Sequence, residues 1–184
     1  PLKWLAMFSP FVFIMYLNFQ LEKISSSRAQ TLFWLFCSSM GLSLATIFMV
    51  YTEASIARAF FITGATFGAM SLWGYTTKKD LTNFGAFLLM GLVGLFIAMI
   101  VNIFMQSSMM QWIVSVAGVA IFTGLTAYDV QSLKQMYQMG WGKEANNKMA
   151  VMGALKLYLN FINAFQFLLA LMGAPLIGMR ASHN

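Results

Sequence analysis

The sequence predicts an all-α, polytopic membrane helix bundle that forms a single transmembrane domain over residues 1–184. Three observations predict it. Hydrophobic residues make up 60% of the chain and charged residues only 9%, whereas soluble domains carry about 25% charged residues. The apolar residues come in runs long enough for a membrane-crossing helix, which needs about 20 of them. No stretch of any length alternates apolar and polar residues as a β-strand would.

Six such runs follow one another, separated by short polar segments. The longest uncharged stretch, residues 81–128, is too long for one crossing, because a helix rises only about 1.5 Å per residue. We place its break at residues 106–108, its most polar point. Gly173 and Pro175 are typical of the end of the last helix. The six predicted spans are residues 4–21, 29–52, 59–77, 82–105, 109–133 and about 150–172.

The basic residues orient these spans. The net charge of +6 comes from 11 basic and 5 acidic residues, and in a membrane protein such an excess indicates topology. Eight basic residues lie at or near alternate loops and three on the opposite side: Lys23, Arg28, Lys78, Lys79, Lys134, Lys143, Lys148 and Lys156, against Lys3, Arg58 and Arg180. Residues 22–28, 78–80 and the predicted loop 134–149 are therefore expected at the inner, negative side. No basic run with interleaved aromatic residues indicates nucleic-acid binding.

Small residues in the second and third spans predict close helix contacts. Gly41 lies between Ser38 and Ala45 at helical spacing, and Gly64 and Gly68 form a small-xxx-small pattern. Small side chains let two membrane helices approach closely. We therefore expect Gly41, Gly64 and Gly68 to face neighbouring helices.

Enzymatic chemistry has little support in the composition of the bundle. Cys37 is the single cysteine, and the single histidine, His183, lies in the C-terminal tail. Intramembrane hydrolases need a catalytic pair or a metal cluster, and an isolated thiol also gives no intrachain disulfide. We expect no enzyme, no cofactor and no bound metal cluster.

Asp129 is the residue that most needs an explanation, because it ends 48 uncharged residues, 81 to 128. A carboxylate at mid-membrane costs about 2.5–3.5 kcal/mol on insertion scales and less near the interface. Such residues usually serve a partner, an ion or a proton. The alternative is a carboxylate that has simply reached the interface, since Lys134 follows five residues later.

The last span carries a polar stripe that we expect to meet Asp129. Lys156, Asn160 and Asn163 are spaced i, i+4 and i+7 and so share one face. Asn160 is expected at a depth similar to that of Asp129 on the preceding, antiparallel helix. The contact is then either an ordinary interhelical hydrogen bond, worth about 0.6 kcal/mol on average, or half of a cation or proton site.

Four segments then resemble one family in their order along the chain. They are Tyr-Thr-Glu-Ala-Ser-Ile-Ala (51–57), Gly-Tyr-Thr-Thr-Lys-Lys-Asp-Leu (74–81), Gly-Leu-Thr-Ala-Tyr-Asp-Val-Gln (124–131) and Gly-Ala-Leu-Lys-Leu-Tyr-Leu-Asn-Phe-Ile-Asn (153–163). Together they resemble the Bax-inhibitor-type (TMBIM, LFG-like) transmembrane family, nearest its bacterial and mitochondrial branches. The resemblance implies seven helices, with one before Pro1, and location in a bacterial or mitochondrial inner membrane.

The resemblance also implies a function, and this sequence differs from the family's pattern at one position of the implied site. The family is associated with a pH-sensitive calcium leak, and its sensor is a pair of aspartates on the last two helices. Asp129 matches the first, whereas the second position carries Asn160. We therefore expect a Ca²⁺ or H⁺ leak channel or exchanger with an incomplete sensor. The alternative is a non-transporting structural or regulatory subunit of a larger inner-membrane assembly, for example a mitochondrial respiratory one.

Overall fold

The computed structural model describes residues 15–16, 19–20, 22–138, 140 and 142–173, and they form helices without any strand. Five helical segments are long and apolar enough to cross a membrane, which confirms the all-α membrane bundle. The predicted first span, residues 4–21, lies largely outside the described residues. The described residues therefore contain five spans, whereas six were predicted for the whole chain. The helices are α1 Ser26–Leu44, α2 Ile47–Val50, α3 Glu53–Thr76, α4 Thr82–Met105, α5 Ser108–Gln138 and α6 Lys143–Met172.

The predicted polar loop 134–149 is mostly helix. Helix α5 continues to Gln138 and α6 begins at Lys143. Polarity suggested a loop there, but Lys, Gln, Glu and Ala are good helix formers once the chain has left the bilayer. The described residues between the two helices are Gly140 and Gly142, which adopt positive φ angles of 67° and 94°, a conformation that glycine reaches at low cost.

Residues 53–58, which separate the predicted spans 29–52 and 59–77, are the start of α3. Thr52 is the N-cap, and its side chain accepts a hydrogen bond from the Ser55 N–H at 3.2 Å. Glu53 places a carboxylate in the first turn, where the helix dipole favours negative charge. A capped helix start therefore replaces the loop that the charges of this segment had suggested.

Helix α5 is the centre of the described bundle. It packs against α3, α4 and α6, with its largest contact to α6, whereas α1 packs against α6. Of the five spans, α5 is the most buried. Glycines on two of its neighbours allow close packing: a side chain at Gly74 would overlap the Ala127 backbone, and one at Gly85 would overlap the Tyr128 ring.

The glycines expected at helix contacts lie elsewhere. A Cβ built on Gly41, Gly64 or Gly68 would meet no atom of the described structure within 4 Å. Among the described residues, none of these three glycines is therefore in close contact with a neighbouring helix. Small-residue spacing shows where close approach is sterically possible, but the position of the neighbouring helix decides which of those faces is used.

The Asp80 side chain is hydrogen-bonded to the first residue of α4, at the end of the bundle that the basic residues predict to face inward and that is called the inner end below. Its Oδ1 accepts hydrogen bonds from the Thr82 N–H at 3.0 Å and the Thr82 hydroxyl at 2.6 Å. These bonds, that of the hydroxyl first, hold the pKa of Asp80 below its ordinary value, because they stabilise the charged form.

Replacing Thr82 with Ala should raise the pKa of Asp80 part of the way back, since the backbone N–H bond remains. A carboxyl group with a lowered folded-state pKa stabilises the fold above its unfolded pKa, and this contribution is lost as pH falls through the folded value. An NMR titration of the Asp80 carboxyl carbon measures the change. Thr76→Ala is the control, because the Thr76 hydroxyl donates to the Leu72 carbonyl instead. An unchanged Asp80 pKa in Thr82→Ala would contradict the assignment.

Candidate functional site

The candidate site is a hydrogen-bonded pair between α5 and α6. The Asn160 Nδ2 donates to Oδ2 of Asp129 at 2.7 Å. Asn160 is 6% exposed and Asp129 is half-buried. The two residues therefore meet as the antiparallel arrangement of the last two helices predicts.

Packing on both sides of the pair fixes the register between the helices. Toward the inner end, Gly153 lies against the Leu133 side chain with no room for a Cβ. Toward the outer end, the rings of Phe122 and Phe167 stack with their centroids 6.0 Å apart. Because these contacts leave little room to slide, Asn160 stays level with the carboxylate.

The other two residues of the stripe lie on either side of Asn160. Lys156 is exposed and lies one turn nearer the inner surface, on the same face of α6 as Asn160. Asn163 is half-buried and lies three residues further out along α6. The stripe thus places one cation and two amides along the helix that faces Asp129, and Asn160 makes the direct contact.

The pair offers oxygen atoms to a cation or a proton. One carboxylate oxygen of Asp129 accepts the amide N–H, which leaves further lone pairs on both carboxylate oxygens, and the Asn160 side-chain carbonyl is another acceptor. Ca²⁺ prefers six to eight oxygen ligands. Among the described residues, no group of three His, Cys, Asp or Glu side chains is placed to hold a metal ion. The pair is therefore a one-carboxylate site that backbone oxygens or water would have to complete.

A small cavity of about 50 Å³ lies on the outer side of the pair, between α3, α5 and α6. Thr126, one turn from Asp129, is in its wall, and its hydroxyl donates to the Phe122 carbonyl. The space holds at most a few waters, and most of its lining atoms are apolar. Its wall consists of Ile62, Thr63, Thr66, Phe67, Val119, Thr123, Thr126, Ala164 and Leu168. The outer approach to the carboxylate is therefore narrow in this structure.

Sequence reasoning missed a set of hydrogen bonds on the face of α5 that points away from α6. Gln131 and Lys134 make these bonds, which are called the clamp below. Gln131 is 7% exposed; its Oε1 accepts from the Leu81 N–H at 2.9 Å and its Nε2 donates to the Lys79 carbonyl at 2.7 Å. One turn on, the Lys134 ammonium donates to the Tyr75 carbonyl at 2.8 Å and lies 4.6 Å from the centre of the Tyr75 ring. The i, i+3 spacing of these polar residues is the signal that could have revealed the clamp.

Replacing Gln131 with Leu should lower the free energy of unfolding by about 1–3 kcal/mol, because a buried backbone N–H and a carbonyl lose their partner. Unfolding in mixed detergent micelles, followed by circular dichroism, measures the loss. Gln135→Leu is the matched control, since Gln135 is exposed on the next turn. Equal stability of the two variants would show that the clamp contributes nothing.

Comparison with known proteins matches this arrangement to one family. The model for the family described as "Inhibitor of apoptosis-promoting Bax1" matches residues 1–175. An uncharacterised protein of Caulobacter vibrioides is 45% identical over 94% of this chain and 70% of its own length. The inner membrane protein YbhL of Escherichia coli K12 is 45% identical over 87% of this chain and 69% of its own.

A third relative, an uncharacterised protein of Borreliella burgdorferi, is 51% identical over 83% of this chain and 66% of its own length. The family model covers almost the whole chain, including every described helix and the Asp129–Asn160 pair. The five spans show independently that the chain is an integral membrane protein by length and composition. The chain therefore belongs to the Bax1-inhibitor family of polytopic membrane proteins.

Proposed function

We propose that this protein is a cation leak channel or exchanger of a bacterial inner membrane, in which the Asp129–Asn160 pair binds the passing Ca²⁺ or H⁺. The observation that supports it is a half-buried carboxylate within a membrane-spanning helix, hydrogen-bonded to a buried amide across the helix interface. Acidic groups at such positions are rare because they are costly, and they commonly mark ion and proton pathways. The name of the relative YbhL supports the location.

The geometry also suggests how the pair would act. The hydrogen bond from Asn160 holds one carboxylate oxygen between the helices, while the half-buried Asp129 keeps lone pairs for an incoming cation. An ion arriving from the inner side meets Asp129 before the narrow cavity around Thr126. We propose that passage requires this cavity to widen, with Asp129 as the last charged group before it.

A second candidate function is a non-transporting membrane subunit or regulator of a larger assembly. The observation in its favour is the amide at Asn160: a site with one carboxylate is a poor ligand set for Ca²⁺. On this reading the hydrogen bond only fixes the register of α5 and α6, and the chain acts through contacts with other membrane proteins.

Calcium and proton flux into liposomes containing the purified protein tests the first proposal. The wild type should support flux, and Asp129→Asn should abolish it. Asp80→Asn is the control, because Asp80 is a fully exposed carboxylate at the inner end of α4. Flux that survives Asp129→Asn would refute the role of the pair. Absence of flux in the wild type, with co-purification of a partner from native membranes, would favour the second candidate.

A further inference from the structure

Some of the charged side chains on α5 and α6 are already held by hydrogen bonds to groups other than Asp129. On α5 and α6 the inner half carries four lysines and two acids: Lys134, Lys143, Lys148 and Lys156, with Asp129 and Glu144. Lys134 is held by the Tyr75 carbonyl on the opposite face of α5. Glu144 accepts hydrogen bonds from the Ser26 N–H at 2.7 Å and the Ser26 hydroxyl at 3.0 Å, and Lys148 acts electrostatically on it.

Of the four lysines on α5 and α6, Lys156 lies nearest to Asn160 along the chain. It precedes Asn160 by one helical turn, so the two side chains are neighbours on one face of α6. Asn160 in turn contacts the carboxylate directly. Lys143, by comparison, precedes Asn160 by 17 residues, about 25 Å along the helix.

We infer that Lys156 is a tethered counter-ion for Asp129 that makes the site electrically neutral and sets its selectivity against multivalent cations. The inference rests on the proposed function, because it takes the Asp129–Asn160 pair as a cation site. A carboxylate with an ammonium group nearby attracts a further cation weakly, and the repulsion from the ammonium grows with the charge of the incoming ion. Lys156 is exposed, so its flexible stem lets the ammonium move aside without unfolding the helix.

This arrangement gives Lys156 a role distinct from that of Asn160. Asn160 positions the carboxylate through a fixed hydrogen bond. Lys156 changes the electrostatic potential at the site and needs no direct contact to do so. Removing its charge should therefore strengthen cation binding, whereas most changes in a binding site weaken it.

Binding of Tb³⁺ to the purified, detergent-solubilised protein tests the inference without requiring transport. Tb³⁺ binds oxygen ligands as Ca²⁺ does, and its luminescence can be excited through an aromatic side chain such as that of Tyr128, the residue next to Asp129 in the sequence. Lys156→Met should tighten Tb³⁺ binding by about tenfold or more, because the repulsion between the ammonium group and the trivalent ion is lost. Lys156→Arg should stay within about twofold of the wild type, since the charge is kept.

Two controls separate this effect from a general change in surface charge. Lys148→Met removes the same charge two turns earlier on α6, where Glu144 is its partner, and should not tighten binding. In an Asp129→Asn background, Lys156→Met should not change the affinity for Tb³⁺, because the carboxylate whose charge Lys156 balances is absent. The two substitutions together form a double-mutant cycle. The inference is overturned if Lys156→Met does not tighten binding, if Lys148→Met tightens it equally, or if the gain persists without Asp129.

The flux assay distinguishes the failure of this inference from the failure of the proposed function. Tighter Tb³⁺ binding by Lys156→Met without flux in any variant would uphold the counter-ion and refute transport. Flux that depends on Asp129 but is the same for wild type, Lys156→Met and Lys148→Met, with unchanged Tb³⁺ binding, would uphold transport and refute the counter-ion.

Discussion

Replacing Asn160 with Asp is expected to give a cation flux that changes steeply with pH between about 6 and 8, while the wild-type flux changes only weakly there. In the wild type the Asp129 partner is an amide, which does not titrate in this range, and it contacts the carboxylate at 2.7 Å. Two carboxylates at that distance would share a proton and titrate as a coupled pair. The substitution would thus create, at this position, the pair of aspartates that the resemblance implies for the sensor.

Flux measured in liposomes at several pH values, for the wild type, Asn160→Asp and Asp129→Asn, checks this prediction. Asn163→Asp is a control, because Asn163 lies on the same helix but three residues further out. It adds a carboxylate without placing it at the amide position that contacts Asp129. If the wild-type flux already changes steeply with pH near neutrality, and Asn160→Asp has the same pH dependence, the pair is not the pH sensor.

Gly74→Ala should destabilise the protein more than any other small substitution on α3. A Cβ at this position would overlap the carbonyl oxygen and Cα of Ala127. Backbone atoms of a packed helix cannot move aside as the end of a flexible side chain can, so α3 and α5 would have to separate. Overpacking of this kind costs about 1–3 kcal/mol and sometimes more, and the separation would also strain the clamp at Gln131.

Gly68→Ala provides the matched control on the same helix. A Cβ there meets nothing within 4 Å, and the change from Gly to Ala favours a helix by about 0.5–1 kcal/mol. Thermal unfolding in detergent, followed by size-exclusion chromatography, should therefore show a lower melting temperature for Gly74→Ala and an unchanged or higher one for Gly68→Ala. The reverse order would mean that α3 packs through its other face.

The clamp at Gln131 and Lys134 links these two predictions. Gln131 bonds to backbone groups of the α3–α4 connection and Lys134 to the last turn of α3, and Gly74 lets α3 approach α5 just beside them. Helix α5 is thus fixed on one face by polar contacts with α3 and α4. Its opposite face presents Asp129 to α6, so a disturbance at Gly74 should also change the geometry of the Asp129–Asn160 pair.

Much of the architecture follows from local properties of the chain. Hydrophobic runs of membrane-spanning length determine that there are helices and roughly where they lie, because unpaired backbone groups are too costly within lipid. The meeting of Asp129 with Asn160 was also predictable, since consecutive antiparallel helices are neighbours and the depths of both residues follow from counting along them. The family followed from four short segments that occur in order.

Helix ends and helix faces are where the structure departs from the sequence predictions. Residues 134–138 and 143–149 are polar, yet they continue α5 and α6, because their helix propensity is not opposed outside the bilayer. Gly64 and Gly68 looked like packing positions, but close contact falls on Gly74 and Gly85 instead.

The physical reason is that composition and periodicity describe a single helix. The face through which that helix packs depends on where the other helices lie. The sequence by itself determined the membrane class, the family and the residue that most needs a function, Asp129. Only the assembled bundle decided that Gln131 hydrogen-bonds the chain before α4 from the opposite face of the same helix, and that close helix contact falls on Gly74 and Gly85. Each is a contact between segments distant in sequence, and its geometry is set by packing that no single segment encodes.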